Sequence, residues 1–173
     1  MQAESPTPVK FFIGALYSQP ERLEQALALI EKEFSPIDYQ SKDYPFDVTD
    51  YYEPEMGSPI FRRLISLTEM KDPIALAPAK LTTNEIELQL ATHSRRKVNL
   101  DIGYLDYDKV VLASAKYGIH KIYIGHGIYA DMALHYEKGR FSPYPWAFLD
   151  FRENRYYRDF MEIRICYKQQ MKQ

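Results

Sequence analysis

Apolar and polar positions alternate with a period of two through much of the second half of the chain, and that pattern predicts a sheet. Val98, Leu100 and Ile102 alternate with Asn99, Asp101 and Gly103, as in a strand with one buried face. Gly103 and the run Asp106-Tyr107-Asp108 read as a break. Val110-Val111-Leu112-Ala113 is then apolar on both sides, as a doubly covered strand requires. Beyond a turn at Tyr117-Gly118, His120, Ile122 and Ile124 fall on one face, Lys121 and Tyr123 on the other. Gly125-His126-Gly127 supplies the positive φ of a hairpin turn or a bulge. Ile128, Ala130, Met132 and Leu134 resume the alternation up to a turn at Glu137-Lys138-Gly139. The stretch from Lys97 to Glu137 is therefore predicted as three or four antiparallel strands around which the rest is organised.

Residues 1–8 are predicted as a flexible tail and 9–173 as a single globular domain. Val9 to Tyr17 reads as an apolar strand. Ser18-Gln19-Pro20-Glu21 has the form of a capping box, and Leu23, Ala26, Leu27, Ile30 and Phe34 predict a helix over Pro20 to Phe34. Ile37 to Gln40 and Phe46 to Tyr52 are predicted strands, Glu53 to Pro59 a loop, Ile60 to Met70 a strand, and Pro73 to Lys80 irregular. A second capping box, Thr82-Thr83-Asn84-Glu85, predicts a helix to about His93. Asp150 is expected to cap a last helix to about Lys168, with Tyr156, Phe160, Ile163 and Tyr167 as its buried stripe. Before it, Phe141, Tyr144, Trp146 and Phe148 are expected to pack as a staple. The predicted class is α+β: a mostly antiparallel sheet with a ferredoxin-like start, a hairpin-rich central part, and about three helices packed on one face.

Composition narrows the partners. With 46% hydrophobic and 27% charged residues the chain is not generally disordered, and a net charge of −2 offers no basic field for nucleic acid or anionic lipid. A single cysteine, Cys166, excludes an internal disulfide and a Cys-rich zinc site, and fits a reducing compartment. No apolar run is long enough for a bilayer, and MQAESPTPVK lacks the features of a signal peptide, so no membrane partner is expected and cytoplasmic is the expected location. Fifteen tyrosines are the one outlier. They serve core packing, a ligand cleft or a partner surface.

No phosphate-binding glycine loop occurs, and Ser114-Ala115-Lys116 matches a guanine-reading tripeptide only at chance level. Asn99 and Asp101 share one strand face, Ser114 and Lys116 share a face of the next. Antiparallel pairing across Asp106 would bring these groups together as a grip for phosphate or for a metal-bound water. The simpler reading of the same residues, and the one the sequence pattern alone favours, is the solvated side of a sheet with an ordinary Lys116–Asp101 ion pair. His120, His126 and His135 lack metal-ligand spacing. His120 is the best acid/base candidate, since its place beside Ile122 and Ile124 predicts partial desolvation. Arg96, in Arg95-Arg96-Lys97, could contact phosphate; Glu55, with Glu53 and Asp50, offers a carboxylate. Lys80, Asn84 and Glu87 cluster at a predicted helix start, where free amides favour an anion.

The blocks YYEPEMG (Tyr51–Gly57), RKVNLDIGYL (Arg96–Leu105), Ser114-Ala115-Lys116, HKIYIGHGIYADMAL (His120–Leu134) and PWAFLDFR (Pro145–Arg152) resemble domain-of-unknown-function family 4416, an uncharacterised prokaryotic family whose members are sometimes labelled GTP-binding proteins. The family pattern carries a proline where Ile102 stands and a Trp-Thr-Tyr-Pro-Asp run where Trp146 to Asp150 stands, so this chain departs at both. The resemblance implies one shared site on Glu55, Lys80, Asn84, Glu87, Arg96, Asn99, Asp101, Lys116, His120 and Tyr129. The expected function is binding or hydrolysis of a nucleotide or other small anionic phosphate ligand. Asp101, His120 and Glu55 would be catalytic and the other seven would bind the ligand. A divalent metal is left open as cofactor, and so is the oligomeric state. The alternative is a non-catalytic scaffold with a Tyr-rich surface.

Overall fold

A computed structural model describes residues 2–172. Met1 of the predicted tail and Gln173 of the predicted domain lie outside the described residues. Strand β1 (Val9–Tyr17) is buried along its whole length because it lies inside the sheet, with β4 (Phe61–Lys71) on one side and β5 (Val98–Leu105) on the other, both antiparallel. Helix α1 (Pro20–Glu33) follows β1, strand β2 (Ile37–Gln40) pairs with the far side of β4, and α3 (Leu76–Gln89) joins β4 to β5. The order β2-β4-β1-β5 is that of an antiparallel βαββαβ unit, as the ferredoxin-like start predicted. The sheet then continues through β6 (Lys109–Ser114), β8 (Ile128–Glu137) and the edge strand β7 (Ile122–Gly125). Strand β3 (Tyr44–Pro45) pairs with β4, and β9 (Arg140–Pro143), absent from the predicted elements, pairs with β8.

The α+β class, the antiparallel sheet and the three long helices match expectation, but the helices are not on one face. Helices α1 and α3 pack on Val9, Phe11, Ile13 and Ala15 of β1. Helix α5 (Tyr157–Gln170) sets Phe160, Ile163 and Tyr167 against Phe12, Leu64 and Leu105 on the opposite face. Both faces of β1 are buried, and apart from Lys10 both are uncharged, so the sheet needs two covers, each fully buried Leu, Ile or Phe contributing about 1.5–3 kcal/mol.

Other boundaries moved for local reasons. Ser18 does not cap α1, whose N-cap position is Gln19 with no side-chain cap; the Ser18 hydroxyl donates to the Met56 carbonyl instead. Residues beyond Phe46 leave the sheet, since β4 begins only at Phe61 and offers them no partner, and Glu53–Met56 forms a short helix, α2. Helix α3 starts earlier than its expected capping box. Asp72 caps the preceding turn by accepting from the Ile74 N–H at 2.9 Å, and Thr82 and Thr83 bond back to the carbonyls of Pro78 and Lys80 inside the helix. The predicted last helix breaks at Asn154 (φ 54°), leaving α4 (Leu149–Arg152) apart from α5. Gly103 does not end β5; it lies inside the strand, opposite Leu112.

Candidate functional site

The strands β5 and β6 pair only over Leu105↔Val110, Tyr104↔Val111 and Gly103↔Leu112. Beyond that point β6 stays on β8 as far as Ser114↔Tyr129, while β5 stays on β1 as far as Val98↔Tyr17. The two halves of the sheet part, and a cavity of about 690 Å³ opens in the gap. Side chains from α3 satisfy the strand edge left bare. The Leu100 N–H donates to Glu87 Oε1 at 2.6 Å, and Lys80 Nζ donates to the Leu100 carbonyl at 2.9 Å, both within a buried setting. A lone backbone pair here would otherwise be stranded without water.

One wall is a chain of charge-assisted bonds. Glu55 grips Arg96 through Nε (2.9 Å) and Nη2 (2.8 Å), and Arg96 Nη1 donates to Asn99 Oδ1 at 2.9 Å. Asn99 Nδ2 donates to Asp101 Oδ1 at 2.9 Å, and Arg62 Nη2 donates to Asp101 Oδ2 at 3.1 Å. Arg62, 4% exposed, also faces Asp150 at 3.5 Å, and Asp150 accepts from Tyr156 OH at 2.8 Å. Burial pulls the Arg62 pKa down, and Asp150 and Asp101 more than offset it, so the net direction is up. Burial pushes the Glu87 carboxyl up against the pull of Lys80, the Leu100 N–H and Arg96.

The opposite wall comes from the β6–β7 side. Lys116, exposed, donates to Tyr51 OH at 3.3 Å and lies 5.0 Å above its ring. Lys121 donates to Ser114 Oγ at 2.8 Å and stands 3.9 Å from Asp131 Oδ2. Asp131 is buried, its Oδ1 has no hydrogen-bond partner, and burial pushes its carboxyl pKa up against Lys121 and His120. Phe46, Tyr51 and Phe148 add aromatic surface.

Of the ten residues predicted for the site, seven line this cavity: Lys80, Asn84, Glu87, Arg96, Asn99, Asp101 and Lys116. The remaining three stand off it. Glu55 sits behind Arg96 as its anchor. His120 is exposed outside any strand, its ring stacked on Trp146 at 4.5 Å, so the expected desolvation beside Ile122 is absent; Ile122 itself is 71% exposed. Tyr129 lies across from Ser114 with its ring edge against Tyr117 and Tyr123. Lys80, Asn84 and Glu87 all lie beyond the first turn of α3, Glu87 in its last, so the free amides expected around them do not exist. Sequence reasoning missed Arg62, Lys121, Asp131 and Asp150. Arg62 carried a signal, a charge sharing a strand face with buried Leu64. Among the described residues no three His, Cys, Asp or Glu side chains converge as a cation cage, and the paired cleft carboxylates are held by arginine, amide and hydroxyl groups.

The bidentate Glu55–Arg96 pair predicts an acid-sensitive increment of stability. The Arg96 hydrogen bonds hold the Glu55 pKa below its usual value of 4.5, against the opposing effect of burial. A depressed carboxylate stabilises above its unfolded pKa and loses that contribution as pH falls through the folded one. Glu55→Gln should therefore lower the unfolding free energy at neutral pH by about 1 kcal/mol. Urea titrations should find that difference shrinking towards zero below the wild-type Glu55 pKa. A gap independent of pH would contradict the assignment.

Fold and cleft together define an α+β protein whose antiparallel sheet is split at one end by a polar, aromatic-rimmed cavity. Residues 7–167 match the model of the family described as domain of unknown function (DUF4416), and the chain belongs to that family. No curated protein and no solved structure gives a significant match. No helix among the described residues is long and apolar enough to cross a membrane.

Proposed function

We propose that the cleft binds a small phosphate-bearing ligand of nucleotide size. The observation that carries this reading is Lys116. It lies on the lip of a 690 Å³ cavity with a tyrosine ring for company and no carboxylate partner among the described residues, while Arg62 and Arg96 are neutralised by acids. Lys121, tied to Ser114, adds a second ammonium on the same wall. That volume falls within the usual range for ligand pockets, about 300–1,000 Å³, and aromatic rings beside an anion grip suit a planar group joined to phosphate. Binding is favoured over turnover. Asp101 is engaged at both oxygens by Asn99 and Arg62, and His120 stands outside the cavity, so these two do not form an acid–base pair.

The test is calorimetry and thermal shift with nucleotides, sugar phosphates and pyrophosphate. A ligand at a hundred times its Kd should raise the melting temperature by about 5–10 °C. Lys116→Ala and Lys121→Ala should each weaken binding by about tenfold or more, since a hydrogen bond to a charged group is worth about 1.5–3 kcal/mol. If no phosphate compound binds, the reading fails. A second reading, a docking surface for a protein partner, has its own support: Tyr117, Ile119, Ile122 and Tyr123 are 77, 83, 71 and 59% exposed along the β7 edge. Phosphate-independent capture of a partner, abolished by Ile122→Lys, would favour it.

A further inference from the structure

Among the described residues four side-chain carboxylates are buried, Glu87, Asp131, Asp150 and Asp159, and one of them is held differently. Glu87 accepts from the Leu100 N–H at 2.6 Å. Asp150 accepts from Tyr156 OH at 2.8 Å, and Asp159 from Tyr39 OH at 2.7 Å and Tyr44 OH at 2.6 Å. Asp131, 8% exposed, has no hydrogen bond on Oδ1, and the Lys121 ammonium stands 3.9 Å from Oδ2, beyond hydrogen-bond reach. A buried acceptor left unsatisfied is costly, and proteins keep such groups where a ligand completes them.

Its position fits that role. Asp131 lines the cavity and pairs across the sheet with Leu112, one step along the same face from Ser114, to which Lys121 is bonded. The acceptor and the two lysines therefore belong to one wall. From this geometry we infer that Asp131 accepts a hydrogen bond from a hydroxyl or amino group of the ligand, so that the ligand is a sugar phosphate or nucleoside phosphate and not a bare anion. The inference rests on the phosphate reading above and names the second feature of its ligand. A carboxylate beside a phosphate site repels a simple anion, so its presence makes sense where the ligand brings a donor of its own.

Two probes separate the cases. Phenyl phosphate as its dianion carries an aromatic ring and a phosphate but no donor; ribose 5-phosphate carries hydroxyl donors. Titration calorimetry on the full chain should give ribose 5-phosphate the tighter binding. Asp131→Ala and the isosteric Asp131→Asn should each weaken ribose 5-phosphate by about tenfold, leaving phenyl phosphate unchanged or tighter. Asp131→Asn should also raise the melting temperature by a few degrees, because an unsatisfied buried charge is removed. The inference is overturned if the variants lose both ligands alike, if they lose neither, or if Asp131→Asn melts lower, which would make the carboxylate a structural anchor for Lys121. Should phenyl phosphate bind and respond to Lys116→Ala while Asp131 variants do not discriminate, only this inference falls. Should neither probe bind the wild type, this inference falls, and the phosphate reading falls with it only if the nucleotides and pyrophosphate of the wider screen fail to bind as well.

Discussion

Replacing Arg62 with alanine should cost about 3–5 kcal/mol of stability, because it removes the one cation between two inward-facing carboxylates. Arg62 emerges from β4 into a shell made by the rings of Phe46 (5.0 Å), Tyr156 (5.6 Å) and Phe151 (5.8 Å), with Asp101 at 3.1 Å and Asp150 at 3.5 Å. Without the guanidinium, Asp150 keeps its Tyr156 and Phe151 hydrogen bonds but holds a charge in a setting with no counterion. Pairing the change with Asp150→Asn should recover part of the loss, since the two sites act as one unit. Urea unfolding of the four proteins measures all of this. A loss below about 1 kcal/mol in the single variant would show that the aromatic shell, and not the ion pairs, holds this end of the sheet together.

How much of this was visible in the chain depends on distance along it. Period-two alternation located β5 and β8, and a short run apolar on both sides located β6, because each strand declares its own faces without reference to a partner. The placement of Asn99 and Asp101 across a cavity from Ser114 and Lys116 followed from the same alternation. The gap that turns those faces into a hollow did not, for no turn residue marks where the β5–β6 ladder stops; that is set by what α3 offers to Leu100. Lys80 and Glu87 were picked out for a helix start that does not exist, yet they line the cleft because they stand in for missing strand bonds. His120 failed for a longer-range reason. Its ring is claimed by Trp146, and Trp146 is fixed by its own bond to the Met132 carbonyl at 2.9 Å, a contact that depends on the hairpin through β9. Asp131 was hidden inside an alternating strand whose apolar partners, Ile128 and Leu134, were the more conspicuous signal.

Gly103→Ala should be the most disruptive change of a single methyl group. A Cβ built there would lie 2.4 Å from the Val111 carbonyl oxygen and 2.8 Å from the Phe12 ring, so both the neighbouring backbone and a core side chain would have to move. Overpacking of this kind costs about 1–3 kcal/mol and more where backbone is the obstacle. The position gives it wider reach. Gly103↔Leu112 is the last of three pairs joining β5 to β6, and the cavity begins just past it. Prying that rung open would move the wall carrying Asp101 away from the wall carrying Lys116 and Asp131, so ligand affinity should fall together with the melting temperature. Gly14→Ala is the control on the same sheet. Its added Cβ meets Arg62 and Leu64 at an ordinary 3.5 Å, and it should leave both quantities nearly unchanged. Equal melting temperatures for the two variants would mean that the β5–β6 junction is not held by the close approach at Gly103. The cleft would then owe its shape to the α3 side chains alone.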